Sequence, residues 1–139
     1  MKLAARKLSL VDIFDHEGWD EGSVSVPKHS ETISAVWSRM SCGNRSLEWR
    51  FADQAGRLVV DVAQALDSAT SDTVFEFKLF ADQRLADTSL GKFSAAAHLE
   101  TGLTGVNAVR LTVTPAEGTP HCDATAVITN MSVVPGATS

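Results

Sequence analysis

The chain has 139 residues, a mass of 14.8 kDa and a formal net charge of −5 at pH 7. This length predicts one domain, 1–139, with short flexible ends at 1–6 and 135–139. The basic residues are scattered, which disfavours nucleic-acid binding, and no apolar run approaches the roughly 20 residues that cross a bilayer. The basic start has charges where a signal peptide is apolar, so a cytoplasmic chain or a subunit of a larger assembly is the default expectation.

Alternation of apolar and polar residues dominates the chain and predicts strands with one buried face. The pair Asp82-Gln83 predicts a hairpin turn, whereas residues 94–100 have helical propensity but lie among strands. About nine or ten antiparallel strands, with turns every 8 to 12 residues or so, predict an all-β jelly-roll β-sandwich. The runs that carry this prediction are 7–13, 23–26, 32–37, 46–51, 57–63, 73–81, 84–87, 107–114 and 124–134.

The stretch GTPHCDATAVI, residues 118–128, places a His, a Cys and an Asp in a turn before a predicted strand. Such a cluster fits a metal site, a catalytic dyad, half of a disulfide or the rim of a ligand pocket. The chain has only two cysteines, Cys42 and Cys122, which excludes a four-thiolate zinc site and a CxxC motif. No nucleophile motif or HExxH spacing occurs, so we predict neither an enzyme nor a metal site.

Acidic residues concentrate near the start of the chain and have the oxygen ligands that Ca²⁺ prefers. Their spacing departs from the DxDxDG pattern, which favours a solvated loop, and no cofactor is predicted. The run comprises Asp12, Asp15, His16, Glu17, Asp20 and Glu21.

The three tryptophans differ in their surroundings. Trp49 lies on the apolar side of an alternating run and is predicted to be in the core. Trp37 and Trp19 lie beside polar stretches, where an exposed indole can stack on the apolar face of a sugar. Core packing is the alternative for both, because tryptophan is mostly buried in proteins.

The order of the segments resembles the family called novel putative carbohydrate-binding module, or NPCBM. The resemblance is carried by RKLSLVDIF (6–14), EGW (17–19), WSRMSCGNRSLEWRF (37–51), TVFEFKLFADQRLADTSL (73–90) and HCDA (121–124). The hairpin is the best-matching part, and His121 matches a family histidine. The stretch 41–46 replaces a family Thr-His-Ala-x-Ser sequence, so one family histidine is absent here.

The resemblance implies a non-catalytic jelly-roll module that recognises a galactose-like sugar at a corner formed by strand ends. It also implies that Cys42 and Cys122 lie together, as a disulfide or a close thiol pair. The alternative function is a structural or protein-interaction module, an assembly or decoration subunit that reuses the scaffold. The residues expected at the sugar site are Trp19, Trp37, Arg39, Asn44, His121 and Asp123.

Overall fold

The structure, a computed structural model, describes residues 6–28, 31–40, 42–51, 54–68 and 70–135. These residues form ten strands and one short 3-10 helix. The bounds are β1 Arg6–Lys7, the 3-10 helix Leu10–Asp12, β2 Asp20–Val24, β3 Ile33–Arg39, β4 Arg45–Arg50, β5 Arg57–Gln64, β6 Val74–Ala81, β7 Arg84–Lys92, β8 Ala97–Gly102, β9 Ala108–Pro115 and β10 Thr125–Val134.

The strands make two sheets whose pairings are antiparallel throughout the described residues. We call the sheet with the order β2-β3-β10-β5-β8 sheet A; β1 joins it by pairing with β10. Sheet B has the order β4-β9-β6-β7. The predicted all-β jelly-roll sandwich is therefore confirmed. In the described part of the chain, no helix is long and apolar enough to cross a membrane.

The main core lies between the two sheets and comes from the alternation seen in the sequence. Leu47 and Trp49 of β4, and Phe75, Phe77 and Leu79 of β6, are each at most 1% exposed. The rings of Phe75 and Phe77 meet edge to face, with centroids 6.2 Å apart. Successive strand residues point to opposite faces, so their polar neighbours face outward.

The hairpin predicted at Asp82-Gln83 is present between β6 and β7. Both turn residues have a positive φ, 46° for Asp82 and 72° for Gln83, as the tight turns that match strand twist require. The Asp82 carboxylate accepts hydrogen bonds from the backbone N–H groups of Asn107 and Ala108. These bonds hold the turn against the start of β9.

Several predicted runs have different bounds in the structure: β7 continues to Lys92, past the predicted 84–87, and β8 occupies Ala97–Gly102, where no strand was predicted. Residues 7–13 form only the short strand β1 and then the 3-10 helix, because the Asp12 carboxylate accepts the backbone N–H of Ser9 and caps a local turn. Strand β2 starts at Asp20 and ends at Val24, earlier than the predicted 23–26. The predicted flexible ends lie outside the described residues apart from Pro135 and Arg6, and Arg6 pairs with Val133.

Candidate functional site

An open groove of about 730 Å³ lies on the outer face of sheet A, away from the main core. We call it the Trp37 groove. Its polar lining comes from three parts of the chain: strand β2 with the residue after it, strand β3 with the start of β10, and the turn after β5. The residues that matter below are Ser23, Ser25, Trp37, Arg39, Asp67 and Thr125.

The groove exists because β3 and β10 are apolar on both faces. Val36 and Ile128 point into the main core, whereas Ala35, Trp37 and Val127 belong to a second apolar cluster on the outer face. The other members of that cluster are mostly small or β-branched, which leaves the large indole of Trp37 partly exposed beside them. They are Val24, Val26, Ile33, Ala63 and Ala65.

Polar groups surround the Trp37 indole. Arg39 lies two residues further along β3, and Thr125 is its partner on β10. The Arg39 side chain is exposed, and no described residue accepts a hydrogen bond from its guanidinium group. Asp67 supplies an exposed carboxylate from the turn after β5. The groove thus offers an apolar platform, a cationic donor and an anionic acceptor, which is the composition of a small-ligand site.

Trp19 does not line this groove, and the structure places it in the core, the alternative expected for it. The residue is only 4% exposed and packs in the main core. Its indole N–H donates to the backbone oxygen of Ser46, at 3.2 Å. A side chain enclosed in this way has no free face on which a sugar ring could stack.

Cys42 and Cys122 form a disulfide in the structure, with their Cα atoms 4.7 Å apart. The turn after β3 and the segment before β10 are therefore adjacent, and the Met40 N–H also donates to the Ala124 oxygen. The bridge consumes the thiols on which a zinc site with His121 and Asp123 would depend. Cys42 has a φ of 62°, the left-handed conformation of a tight turn.

The neighbouring segments do not bring all the predicted side chains into one site. His121 is exposed, and its Nδ1 lies 2.8 Å from the carboxylate of Asp72. Asp123 is also exposed, and its backbone oxygen accepts from the Thr70 hydroxyl. Neither residue lines the Trp37 groove. Asn44 lines a separate depression near Gly18. Of the six predicted ligand-binding residues, only Trp37 and Arg39 share the groove.

The acidic run of residues 12–21 is occupied by local contacts. Asp12 accepts from Ser9, Asp15 accepts from the Glu17 N–H, and Glu21 accepts from the Leu10 N–H. Among the described residues, no group of three or more His, Cys, Asp or Glu side chains is arranged to hold a metal ion.

A charged cluster outside the groove surrounds His98 on strand β8. Its Nε2 lies 2.9 Å from Glu100 and its Nδ1 lies 2.6 Å from Asp61. The hydrogen bond to Glu100, followed by that to Asp61, raises the pKa of His98 above its ordinary value of 6.5. Glu100 also pairs with Arg57 at 2.9 Å. This cluster contributes to the pairing of β5 with β8.

Sequence reasoning missed Asp67, Ser23 and Ser25 as groove residues. Asp67 follows the end of β5 in a turn with no pattern of its own, and it lines the same groove as Trp37 because β5 and β3 both pair with β10. The one available signal was the alternation Ser23-Val24-Ser25-Val26, which identifies two polar residues on or just after the edge strand β2.

No known protein family matches the sequence, and no curated protein matches it. Solved structures do share the fold. The second CBM51 module of Clostridium perfringens ZmpB, solved with INT domains and GlcNAc, matches with a TM-score of 0.69 and 10% identity. That match covers 96% of this chain and 32% of the other, so the chain spans only about a third of the ZmpB structure.

Two further structures are matched along nearly their whole length. The CBM51 module of Clostridium perfringens GH95, in complex with methyl-galactose, gives a TM-score of 0.62 at 12% identity over 93% of this chain and 99% of that one. A family 35 carbohydrate-binding module from Clostridium thermocellum gives 0.56 at 11% identity over 96% and 100%. This chain therefore has the β-sandwich fold of carbohydrate-binding modules.

Proposed function

We propose that this chain is a non-catalytic carbohydrate-binding module, a divergent NPCBM-like one, that holds a galactose-like sugar in the Trp37 groove. The observation that carries the proposal is the partly exposed Trp37 indole with Arg39 and Asp67 in the same groove. Carbohydrate-binding modules with this fold, one of them in complex with methyl-galactose, support it. Because fold alone does not determine function, the groove chemistry carries the argument.

Galactose suits this arrangement for a stereochemical reason. Its axial 4-hydroxyl leaves one face of the ring with a continuous patch of C–H groups, which stacks on an indole. The hydroxyls at the ring edge can then accept from Arg39 and donate to Asp67. The groove is open, so we expect it to take one or two sugar units at the end of a chain.

The decisive experiment is calorimetric titration of the folded protein with methyl-galactoside, after a glycan array has identified the preferred galactoside. We expect Trp37→Ala and Arg39→Ala each to weaken binding at least ten-fold. His121→Ala is the matched control, because His121 lies outside the groove, and it should bind like the wild type. If Trp37→Ala binds the galactoside as tightly as the wild type, the Trp37 groove is not the binding site. If no glycan on the array binds the folded protein, the chain is not a carbohydrate-binding module.

A protein-interaction role is the second candidate, and one observation favours it. Leu85 and Leu90 on strand β7 are 56% and 54% exposed. Strand β7 is at the end of sheet B, and both side chains are candidates for contact with a partner protein. If this role is correct, Leu85→Ser/Leu90→Ser should reduce capture of that partner and leave sugar binding unchanged. A variant that captures the partner normally would exclude this surface.

A further inference from the structure

A second groove, of about 560 Å³, lies on the outer face of sheet B. We call it the Arg50 groove. Pairing across three strands places Glu48 of β4 beside Arg110 of β9, and Arg110 beside Phe80 of β6. The next row along the sheet has Arg50 beside Ala108. This groove faces away from sheet A and shares no lining residue with the Trp37 groove.

Glu48 holds the two arginines of the groove in position. Its side chain is only 12% exposed, and one carboxylate oxygen accepts from Arg110 Nη2 at 2.8 Å. The other oxygen accepts from Arg50 Nε. The hydrogen bond from Arg50, together with that from Arg110, lowers the pKa of Glu48, so the carboxylate stays ionised. The Arg50 guanidinium also stacks on the Phe14 ring, 3.9 Å from its centroid.

The two guanidinium groups keep unused donors. Each carries five N–H groups in a planar fork. Within the described residues, Arg110 donates to Ser46 and Glu48, and Arg50 donates only to Glu48. The Glu48 carboxylate faces both cations, the second carboxylate of the groove, Asp82, belongs to the turn beyond Ala108, and both arginine side chains are about half exposed. A planar or tetrahedral anion is the ligand that such paired forks recognise.

The remaining groove residues suit a sugar ring attached to that anion. Ala108 is the small residue in the same row as Arg50, and the Asp82 turn lies on the other side of Ala108. The Arg50 and Asp82 backbones are therefore two strand spacings apart, roughly 10 Å. The residue between them, Ala108, has a small side chain, so the floor of the groove is open there. Phe80 adds a partly exposed aromatic ring. Asp82 also bonds backbone amides, which fixes it as a hydrogen-bond acceptor at that end.

We propose that the Arg50 groove is a second ligand site, one that binds an anionic saccharide through the N–H groups of Arg50 and Arg110 that Glu48 leaves unused, with the ligand's carboxylate or sulfate group as the acceptor. The ring lies over Ala108, against Phe80, and its hydroxyls face Asp82. The site goes beyond the proposed galactose recognition, because it belongs to the other sheet. Either site can therefore fail without the other.

The test is calorimetric titration of the full chain with two acidic probes, trigalacturonate for a carboxylate and galactose 6-sulfate for a sulfate. Neutral galactose and short polyglutamate are the comparison ligands. We expect one or both acidic sugars to bind, with at least ten-fold weaker binding in Arg50→Ala/Arg110→Ala. Ala108→Leu should weaken binding to the same extent, because it fills the floor without changing any charge.

Two controls separate this site from general charge attraction and from the Trp37 groove. Arg57→Ala removes the same charge from sheet A and should bind acidic sugars like the wild type. Trp37→Ala removes any binding of these galactose-derived probes in the other groove, and it should keep the component of binding that Arg50→Ala/Arg110→Ala abolishes. The proposal is overturned if neither acidic sugar binds, if polyglutamate binds as tightly as they do, or if Ala108→Leu has no effect. If the double variant fails to fold, Arg50→Gln, which leaves the Glu48–Arg110 pair intact, replaces it with the same expectation.

Discussion

Removing the disulfide should cost the protein a large part of its stability. Cys42 and Cys122 are 80 positions apart, so their bond closes a long loop of the unfolded chain. In the chain-entropy model, a loop of this length corresponds to about 4.5 kcal/mol at 25 °C. Cys42 is exposed and Cys122 is half-buried, so a reductant can reach the bond without unfolding the sandwich.

That free energy converts to a shift in the melting temperature. A chain of this size has an unfolding entropy of about 0.3 kcal/mol per kelvin near its midpoint, so the bridge should be worth about 15 °C in Tm. The measurement is differential scanning calorimetry of the wild type with and without a phosphine reductant. Cys42→Ser/Cys122→Ser should melt at the temperature of the reduced wild type and should not respond to the reductant.

A shift below about 4 °C would refute this reasoning, because it would mean that the unfolded chain gains little freedom when the loop is opened. The bridge lies just beyond the groove rim, where β3 ends at Arg39 and β10 begins at Thr125.

Three further predictions concern stability. Gly91→Ala should lower Tm by about 3–10 °C, because a Cβ at this position would lie 2.5 Å from Phe77 Cε2. The control is Gly102→Ala, whose Cβ would lie 4.0 Å from Arg57 Nη1, and its Tm in the same thermal-melting experiment should equal that of the wild type. The pKa of His98 is raised in the folded protein, so the charged imidazole stabilises the fold fully below pH 6.5, and this stabilisation is lost as the pH rises through the folded-state pKa. The Tm of the wild type should therefore fall by about 1–3 °C between pH 6 and 8.5, and the Tm of His98→Gln should not. Asp82→Ala should destabilise by about 1–2 kcal/mol in denaturant titration, whereas Asp82→Asn, which keeps an acceptor and tolerates the positive φ, should lose less than half of that.

The alternating runs predicted much of the fold because they record which face of a strand is buried. In β4, Leu47 and Trp49 are buried while Arg50 is exposed, as a half-buried strand requires. The β6–β7 hairpin was readable for a second reason, since Asp82 and Gln83 interrupt the alternation at the turn. Both features are local, and neither depends on distant parts of the chain.

The predicted strand bounds failed in two situations: where a side chain accepts a backbone N–H that a strand would use, and where a strand is defined by pairing with residues distant in the sequence. Residues 7–13 alternate in part, yet the Asp12 carboxylate takes the Ser9 N–H and produces a 3-10 turn. Strand β2 begins at Asp20, inside the acidic run, because Asp20 pairs with Trp37 of β3. No local pattern distinguishes that acidic segment from a solvated loop.

In the candidate sites too, the sequence predicted what depends on neighbouring residues and not what depends on contacts between distant segments. The sequence places Trp37 and Arg39 two residues apart on one strand, so both side chains point to one face, and the structure brings both to the groove. Trp19 and Trp37 looked equivalent in sequence. They differ because the Trp19 side chain itself packs into the main core, whereas Trp37 lies among small residues on an outer sheet face.

The Arg50 groove illustrates why a site on a sheet face is hard to see in a sequence. Its two arginines are 60 positions apart, and they meet because the pairing of β4 with β9 places Glu48 opposite Arg110. In the sequence each arginine is simply the polar member of an alternating strand. Only the register shows that one carboxylate serves both cations and that Ala108 leaves the floor beside them open. The chemical meaning of an outward-facing residue therefore depends on its neighbours across the sheet, which alternation along the chain does not specify.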